Sequence, residues 1–231
     1  MELNILFEDN HIIVVEKPPK VPSQQDKTND LDLLTMIKEH IKKEHPQVKE
    51  PYIALIHRLD RPVGGVMVYG KTKFASGKLS EQIQKKQMTK KYIGVVCGIP
   101  KDKMGELKNH LVKISVKNYS KVVPNKQNNS KEAILEYKVI ESCQDDKGIL
   151  SLLEFNLITG RHHQIRVQTA HAGWPLWGDT KYNNEFKDNK EWTQVALWAK
   201  ELSFNHPKTN KPLTFESMPT KEYPFNLFKN T

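Results

Sequence analysis

The apolar residues of this chain come in short runs broken by turn-forming residues, and that spacing limits its fold more than any other feature. Runs at Asn4–Phe7 and His11–Val15 flank a Glu8-Asp9-Asn10 turn, and Pro18-Pro19 stops the second. Further runs cover Tyr52–Ile56, Val66–Tyr69, Tyr92–Val96, Ala133–Ile140, Ile149–Leu157, Val195–Phe204 and Leu213–Phe215. Asp145-Asp146-Lys147-Gly148 reads as the hairpin turn between two of them. Helical spacing is confined to a few places. Asp30 is placed to cap a face of Leu33, Leu34, Ile37 and Ile41; Thr72 is placed to cap Ala75, Leu79 and Ile83. A third helix is expected from Thr159-Gly160 through Ala170. Strands dominate, and the helices follow no βαβ rhythm, so the pattern predicts an α+β fold on a mixed, largely antiparallel sheet.

At 231 residues the chain fits one ordinary domain, or two small lobes sharing a core. We expect a single domain over residues 1–231, with a polar, lysine-rich excursion at about 101–130. No apolar stretch approaches the ~18 residues of a membrane span. The opening MELNILFEDN lacks a basic segment leading into an apolar run, so no secretory signal is expected. Cys97 and Cys143 are too few for a disulfide framework, which suits a reducing, cytoplasmic setting.

Several motif matches carry no chemistry. Gly65 to Thr72 satisfies the phosphate-loop expression, but its middle residues Val66-Met67-Val68-Tyr69 read as strand, where amides cannot converge on an anion. His162, His163 and His171 fit no common zinc spacing, so no metal is expected. There is no G-x-S-x-G elbow, and neither cysteine lies beside a candidate base in sequence.

Charge is more informative. The net charge is +9, yet residues 71–131 hold fifteen lysines against three acids, +12, so the remainder is −3. Such a stretch suits an acidic partner. Only four basic residues are arginine: Arg58, Arg61, Arg161 and Arg166. Arginine does what lysine cannot where a carboxylate or phosphate is held by two parallel hydrogen bonds. In His57-Arg58-Leu59-Asp60-Arg61-Pro62-Val63-Gly64-Gly65, a carboxylate stands between two arginines ahead of a glycine pair. Asp60 is then either a turn-capping ion-pair partner or an ionised nucleophile or base. Tyr92, behind Lys90-Lys91, is either a core tyrosine or a platform for a base.

Taken in order, these segments resemble one family. His57-Arg58-Leu59-Asp60 with its glycines, Lys91-Tyr92, Thr159-Gly160-Arg161-x-His163-Gln164-Ile165-Arg166-Val167, Gly178-Asp179-x-x-Tyr182 and Leu202-x-Phe204-x-His206-Pro207 look like the motifs of RluA-type pseudouridine synthases, and Val14-Val15-x-Lys17-Pro18 looks like the first of them. The resemblance implies a pseudouridine synthase fold in two subdomains beside an RNA-binding cleft, and an isomerase that needs no cofactor and no metal. Asp60 would be the catalytic aspartate, attacking the glycosidic carbon or assisting glycal formation. Arg161 would be its salt-bridge partner, Tyr92 would stack on the flipped base, and Arg58 would fill the vacated stack. His57, His163, Arg166, Lys85, Lys86, Lys90 and Lys91 complete the expected RNA-binding set. The RNA would be rRNA or tRNA, and the protein a monomer.

Some positions depart from the family pattern. Val63-Gly64-Gly65 stands where Thr-Ser-Gly is usual, His162 where threonine is, and Gln168 and Trp198 where histidines are. The chain opens directly in the catalytic region, so no S4-type RNA-binding module is expected ahead of it. Two other functions fit the same residues: a catalytically silent RNA-binding or folding factor, and a hydrolase using Asp60 with Asp179.

Overall fold

A computed structural model describes residues 2–124, 126–146, 148–219 and 222–229. The chain forms two compact units, Met1–Lys90 with Ala199–Met218, and Lys91–Trp198 with Pro219–Thr231.

In the first unit β1 (Asn4–Glu8) and β2 (Ile12–Lys17) form an antiparallel hairpin. The helix α1 (Leu33–Glu44) follows, then β3 (Ala54–Leu55), β4 (Gly64–Gly70) and the helix α2 (Lys73–Gln84). Thr72 caps α2, its side chain accepting from the Ala75 N–H, as its position predicts. The cap of α1 is Asp32 rather than Asp30, because Asp30 is held by Arg61 and is unavailable. β4 pairs antiparallel with both β2 and β3, and every one of its residues is buried. The phosphate-loop match is therefore a strand.

The second unit contains β5 (Thr89–Cys97), β6 (Met104–Ile114), β7 (Tyr119–Val123), β8 (Lys131–Asp145) and β9 (Gly148–Leu157). They run β5-β9-β8-β6-β7, each neighbour antiparallel. The lysine-rich stretch thus enters the sheet as two strands, although most of its residues are exposed. The β8–β9 hairpin forms as expected; Lys147 of its turn lies outside the described residues. The helix α3 (Gln164–His171) lies against one face, with Val167 packed among Leu111 and Ala133. The other face buries Ile93, Val95, Leu150 and Leu152 against Phe225 and Phe228. Side chains alternate along a strand, so Tyr92 shares a face with its cross-strand partner Phe155 and with Tyr137 beyond it, the face that α3 covers.

The chain closes with β10 (Leu197–Asn205), which pairs antiparallel with β11 (Pro212–Glu216). In the first unit Ile12, Val14, Val66, Val68 and Leu202 form a core with Ala75 and Leu79 of α2. Gly65 is essential to that packing. Its φ of +118° disfavours any side chain, and a Cβ there would stand 2.2 Å from the Ala199 carbonyl oxygen. We predict that Gly65→Ala costs about 3 kcal/mol or more. Urea unfolding measures this, and a loss below about 1 kcal/mol would contradict the packing. Among the described residues no helix is long and apolar enough to cross a membrane.

Candidate functional site

The first unit holds His57, Arg58, Asp60, Lys85, Lys86 and Lys90, and the second holds Lys91, Tyr92, Arg161, His163 and Arg166.

Asp60 lies on the loop between β3 and β4, and neighbouring segments fasten that loop. The Ser23 hydroxyl donates to the Leu59 carbonyl (2.9 Å) and accepts from the Leu59 N–H (3.2 Å). The Val63 N–H closes a turn on the Asp60 carbonyl at 2.9 Å. Lys17, at the end of β2, is fully buried, and its ammonium donates to the carbonyls of Pro18 (3.0 Å), Val21 (2.8 Å) and Arg61 (3.2 Å). Desolvation pushes its pKa down to about 7; the Asp60 charge opposes that shift and the Arg61 charge adds to it. An amine that gives up its proton near neutral pH is thereby buried beside the Asp60 loop. In the sequence Lys17 shows as a lysine closing an apolar run ahead of two prolines, inside the first family-like motif.

The loop's other charged groups have separate tasks. Arg58 is exposed. Arg61 is committed to Asp30, to the Thr28 hydroxyl (3.0 Å) and to the Lys20 carbonyl (2.9 Å). His57 is built into the sheet, its Nε2 accepting the Val68 N–H of β4 at 3.2 Å. Burial, with the Lys90 charge adding to it, pushes the His57 pKa down to about 3. Burial also lowers the pKa of the half-buried Lys90. Lys85 is exposed and paired with Glu81 at 2.7 Å, and Lys86 is exposed.

His57 gives the protein a definite pH response. The unfolded imidazole takes up a proton below about pH 6.5, whereas the folded one resists until about pH 3. Its contribution to stability is therefore fully present above about pH 6.5 and is lost as pH falls towards 3, at up to about 1.4 kcal/mol per pH unit. Urea midpoints at pH 7.5 and 5.5 should fall less steeply for His57→Gln, which keeps an acceptor and does not titrate. Equal slopes would contradict a half-buried ring that stays neutral in the folded protein.

In the second unit Tyr92 is buried near the start of β5, and Lys91 beside it is half-buried. Arg161 lies in the loop ahead of α3. That helix begins at Gln164, five residues later than the sequence predicts, because residues 159–163 are fixed as a loop. Thr159 Oγ1 accepts the Ile134 N–H (2.8 Å), while Gln164 Oε1 accepts from both the Thr159 hydroxyl (2.8 Å) and the Arg161 N–H (2.9 Å). His163 takes a left-handed φ of 54°. The exposed Arg161 guanidinium donates through Nε to the Glu132 carbonyl at 2.7 Å.

The buried fork belongs to Arg166, whose Nε and Nη2 reach the two carboxylate oxygens of Asp179 at 2.7 Å each. Arg166 is 3% and Asp179 0% exposed. Asp179 also accepts the N–H groups of Lys181 (3.0 Å) and Tyr182 (3.2 Å). The Tyr182 ring lies under the Arg166 guanidinium, 5.3 Å away, and its hydroxyl meets His163 Nδ1 at 2.8 Å. Asp179 and Tyr182 sit in the sequence motif Gly178-Asp179-x-x-Tyr182, but only the fold shows what they hold. Gln168 is buried too, donating to Asn109 Oδ1 at 2.7 Å and to the Leu107 carbonyl at 3.0 Å.

Comparison with known proteins fits this geometry. The family model described as RNA pseudouridylate synthase matches residues 11–171, a span that includes Lys17, Asp60, Tyr92, Arg161 and Arg166. The chain is 32% identical over 220 residues to "Uncharacterized RNA pseudouridine synthase YhcT" of Bacillus subtilis, covering 94% of this chain and 68% of that protein. It is 30% identical over 216 residues to "Ribosomal large subunit pseudouridine synthase C" of Buchnera aphidicola, covering 91% of this chain and 65% of that protein. The chain thus spans about two thirds of the length of these relatives. The solved structure "Human RNA Pseudouridylate Synthase Domain Containing 4" superposes with a TM-score of 0.79 at 22% identity over 94% of this chain and 89% of that one, and so shares the fold. By its sequence motifs and its matched span, the chain belongs to the RNA pseudouridylate synthase family, as the RluA-type resemblance implies.

Proposed function

We propose that this chain isomerises a uridine in structured RNA to pseudouridine, with Asp60 as the catalytic carboxylate. The observation that carries this reading is the fastened Asp60 loop, with the buried Lys17 amine beside it and an exposed arginine two residues before it. Asp60 attacks C1′ of the ribose, forming an ester that C5 later displaces, or draws off the C2′ proton to form a glycal and returns it to C2′ when C5 adds. Either route breaks the N1–C1′ bond; the freed uracil turns, C5 bonds to C1′, and the C5 proton is lost while N1 gains one. Atoms and charge balance without an oxidant or a second substrate. The neutral base needs a positioned carboxylate and extrusion from its stack.

The other residues take supporting parts. Tyr92 stacks on the uracil near C5, Arg161 offers a guanidinium to Asp60 or to the RNA, and Arg58 enters the gap left by the flipped base. His57, bonded to β4, and Arg166 of α3, bonded to Asp179, position the segments around them. His163, Lys85, Lys86, Lys90 and Lys91 add to RNA affinity. The names of the relatives favour a large-subunit rRNA uridine over a tRNA one, and we place the protein in the cytoplasm as a monomer.

Incubation with unmodified bulk tRNA and large-subunit rRNA, followed by carbodiimide-dependent primer stops, tests this reading. New stops are expected with the wild type and none with Asp60→Ala. Stops absent from both, or present in both, would overturn it.

A further inference from the structure

Among the described residues the β6–β7 turn carries the most exposed large apolar side chain. It is the short 3-10 segment Ser115–Lys117, and the Val116 side chain at its centre is 99% exposed. A bare valine at a loop tip is ordinary where the tip is free to collapse onto the protein. This tip is held out. His162 reaches it twice, through Nε2 to Asn118 Oδ1 (2.9 Å) and Nδ1 to Ser120 Oγ (2.8 Å). The Lys181 ammonium donates to the Asn118 carbonyl (2.8 Å), and the Ser120 N–H donates to the Tyr182 hydroxyl (2.8 Å). Tyr119 stacks on Tyr182 with ring centroids 4.6 Å apart. The brace therefore runs into the 159–163 loop that carries Arg161, and into the Tyr182 ring beneath Arg166.

The charge around the tip selects its partner. Residues 107–131 include six lysines and no acidic residue. Lys113, Lys117 and Lys121 are exposed; Lys113 and Lys121 project to opposite faces of the hairpin, because Lys113 pairs with Ser120 and Lys121 with Val112. A rigid apolar point between cations suits a nucleic acid, where apolar side chains wedge against bases and ammonium groups hold the flanking phosphates. Because the turn is already ordered, binding loses little conformational entropy.

The geometry points to the β6–β7 tip as an RNA-reading wedge, with Val116 set against the bases of an opened loop or groove and Lys113, Lys117 and Lys121 on the phosphates beside it. This rests on the reading of the chain as a uridine-modifying enzyme and names the RNA it takes, one that offers the tip an accessible base step. It gives His162 a role: a positioning residue for the tip.

Two surface variants test it, Val116→Ser and the triple Lys113→Ala/Lys117→Ala/Lys121→Ala, each checked for an unchanged melting temperature. Turnover and direct binding are measured on the same bulk tRNA and large-subunit rRNA transcripts. The triple variant should raise KM and Kd roughly tenfold or more and lower the salt slope of log Kd by about 2–3, with kcat within about twofold. Val116→Ser should raise both several-fold with the salt slope unchanged. Wild-type values in both variants would overturn the wedge, including the case in which a protein partner uses the tip instead. A wild type that binds RNA but makes no pseudouridine would overturn the enzymatic reading, while the binding constants still decide the wedge.

Discussion

Asp60→Asn should lower turnover by roughly 10⁴-fold or more while leaving RNA binding near the wild-type level. The substitution is nearly isosteric, and bonds made by other residues fasten the loop. Ser23 fastens it at Leu59, Lys17 at Arg61, and Val63 closes the turn on the Asp60 backbone carbonyl. Asparagine therefore keeps those bonds while removing the proposed nucleophile or base. It also removes the charge that holds up the Lys17 pKa, so the buried amine should shed its proton more readily. Steady-state rates with a binding measurement separate the two effects. A variant that turns over at more than about 1% of the wild-type rate would mean that Asp60 is not the reacting group.

The second large effect concerns stability. Asp179→Asn leaves the buried Arg166 guanidinium beside a neutral amide, and removing one partner of such a pair costs about 3–5 kcal/mol. For a chain of this size that is a fall in melting temperature of roughly 6–20 °C. Arg166→Lys should be damaging as well, because an ammonium cannot make two parallel bonds to Asp179. A loss near 1 kcal/mol in both would show that the fork adds little.

The sequence was most readable where the period of apolar residues and the chemistry of the turns agreed. The wholly buried β4, the β8–β9 hairpin and the Thr72 cap of α2 are of that kind. Local signals failed where a distant residue intervened. Asp30 is a plausible cap by position, but Arg61 takes it, so α1 begins under Asp32. Thr159 to His163 looks like a helix start, but bonds to Ile134 in the neighbouring strand hold it as a loop. The strands β6 and β7 were hidden because polar and charged residues interrupt their apolar positions, leaving too little alternation to read.

The candidate site divides in the same way. Two short arginine-bearing segments could be picked out from composition alone, and Asp60 with them. What each arginine holds could not be, since Arg166 finds its carboxylate thirteen positions away at Asp179, while Arg61 is tied to Asp30 and Arg161 to the Glu132 carbonyl. Lys17 carried the weakest signal. Its importance lies in complete burial next to the Asp60 loop, and burial is a property of the fold.

Isomerisation itself can be read directly. Joining C5 to C1′ expels the C5 hydrogen, so RNA transcribed with 5-tritiated uridine should release tritium to water in step with the pseudouridine formed. No free uracil should appear, and the RNA should otherwise keep its mass. Tritium release by the wild type, abolished in Asp60→Asn, is the result this account predicts. Free uracil, or no tritium released from any of the RNAs, would contradict it.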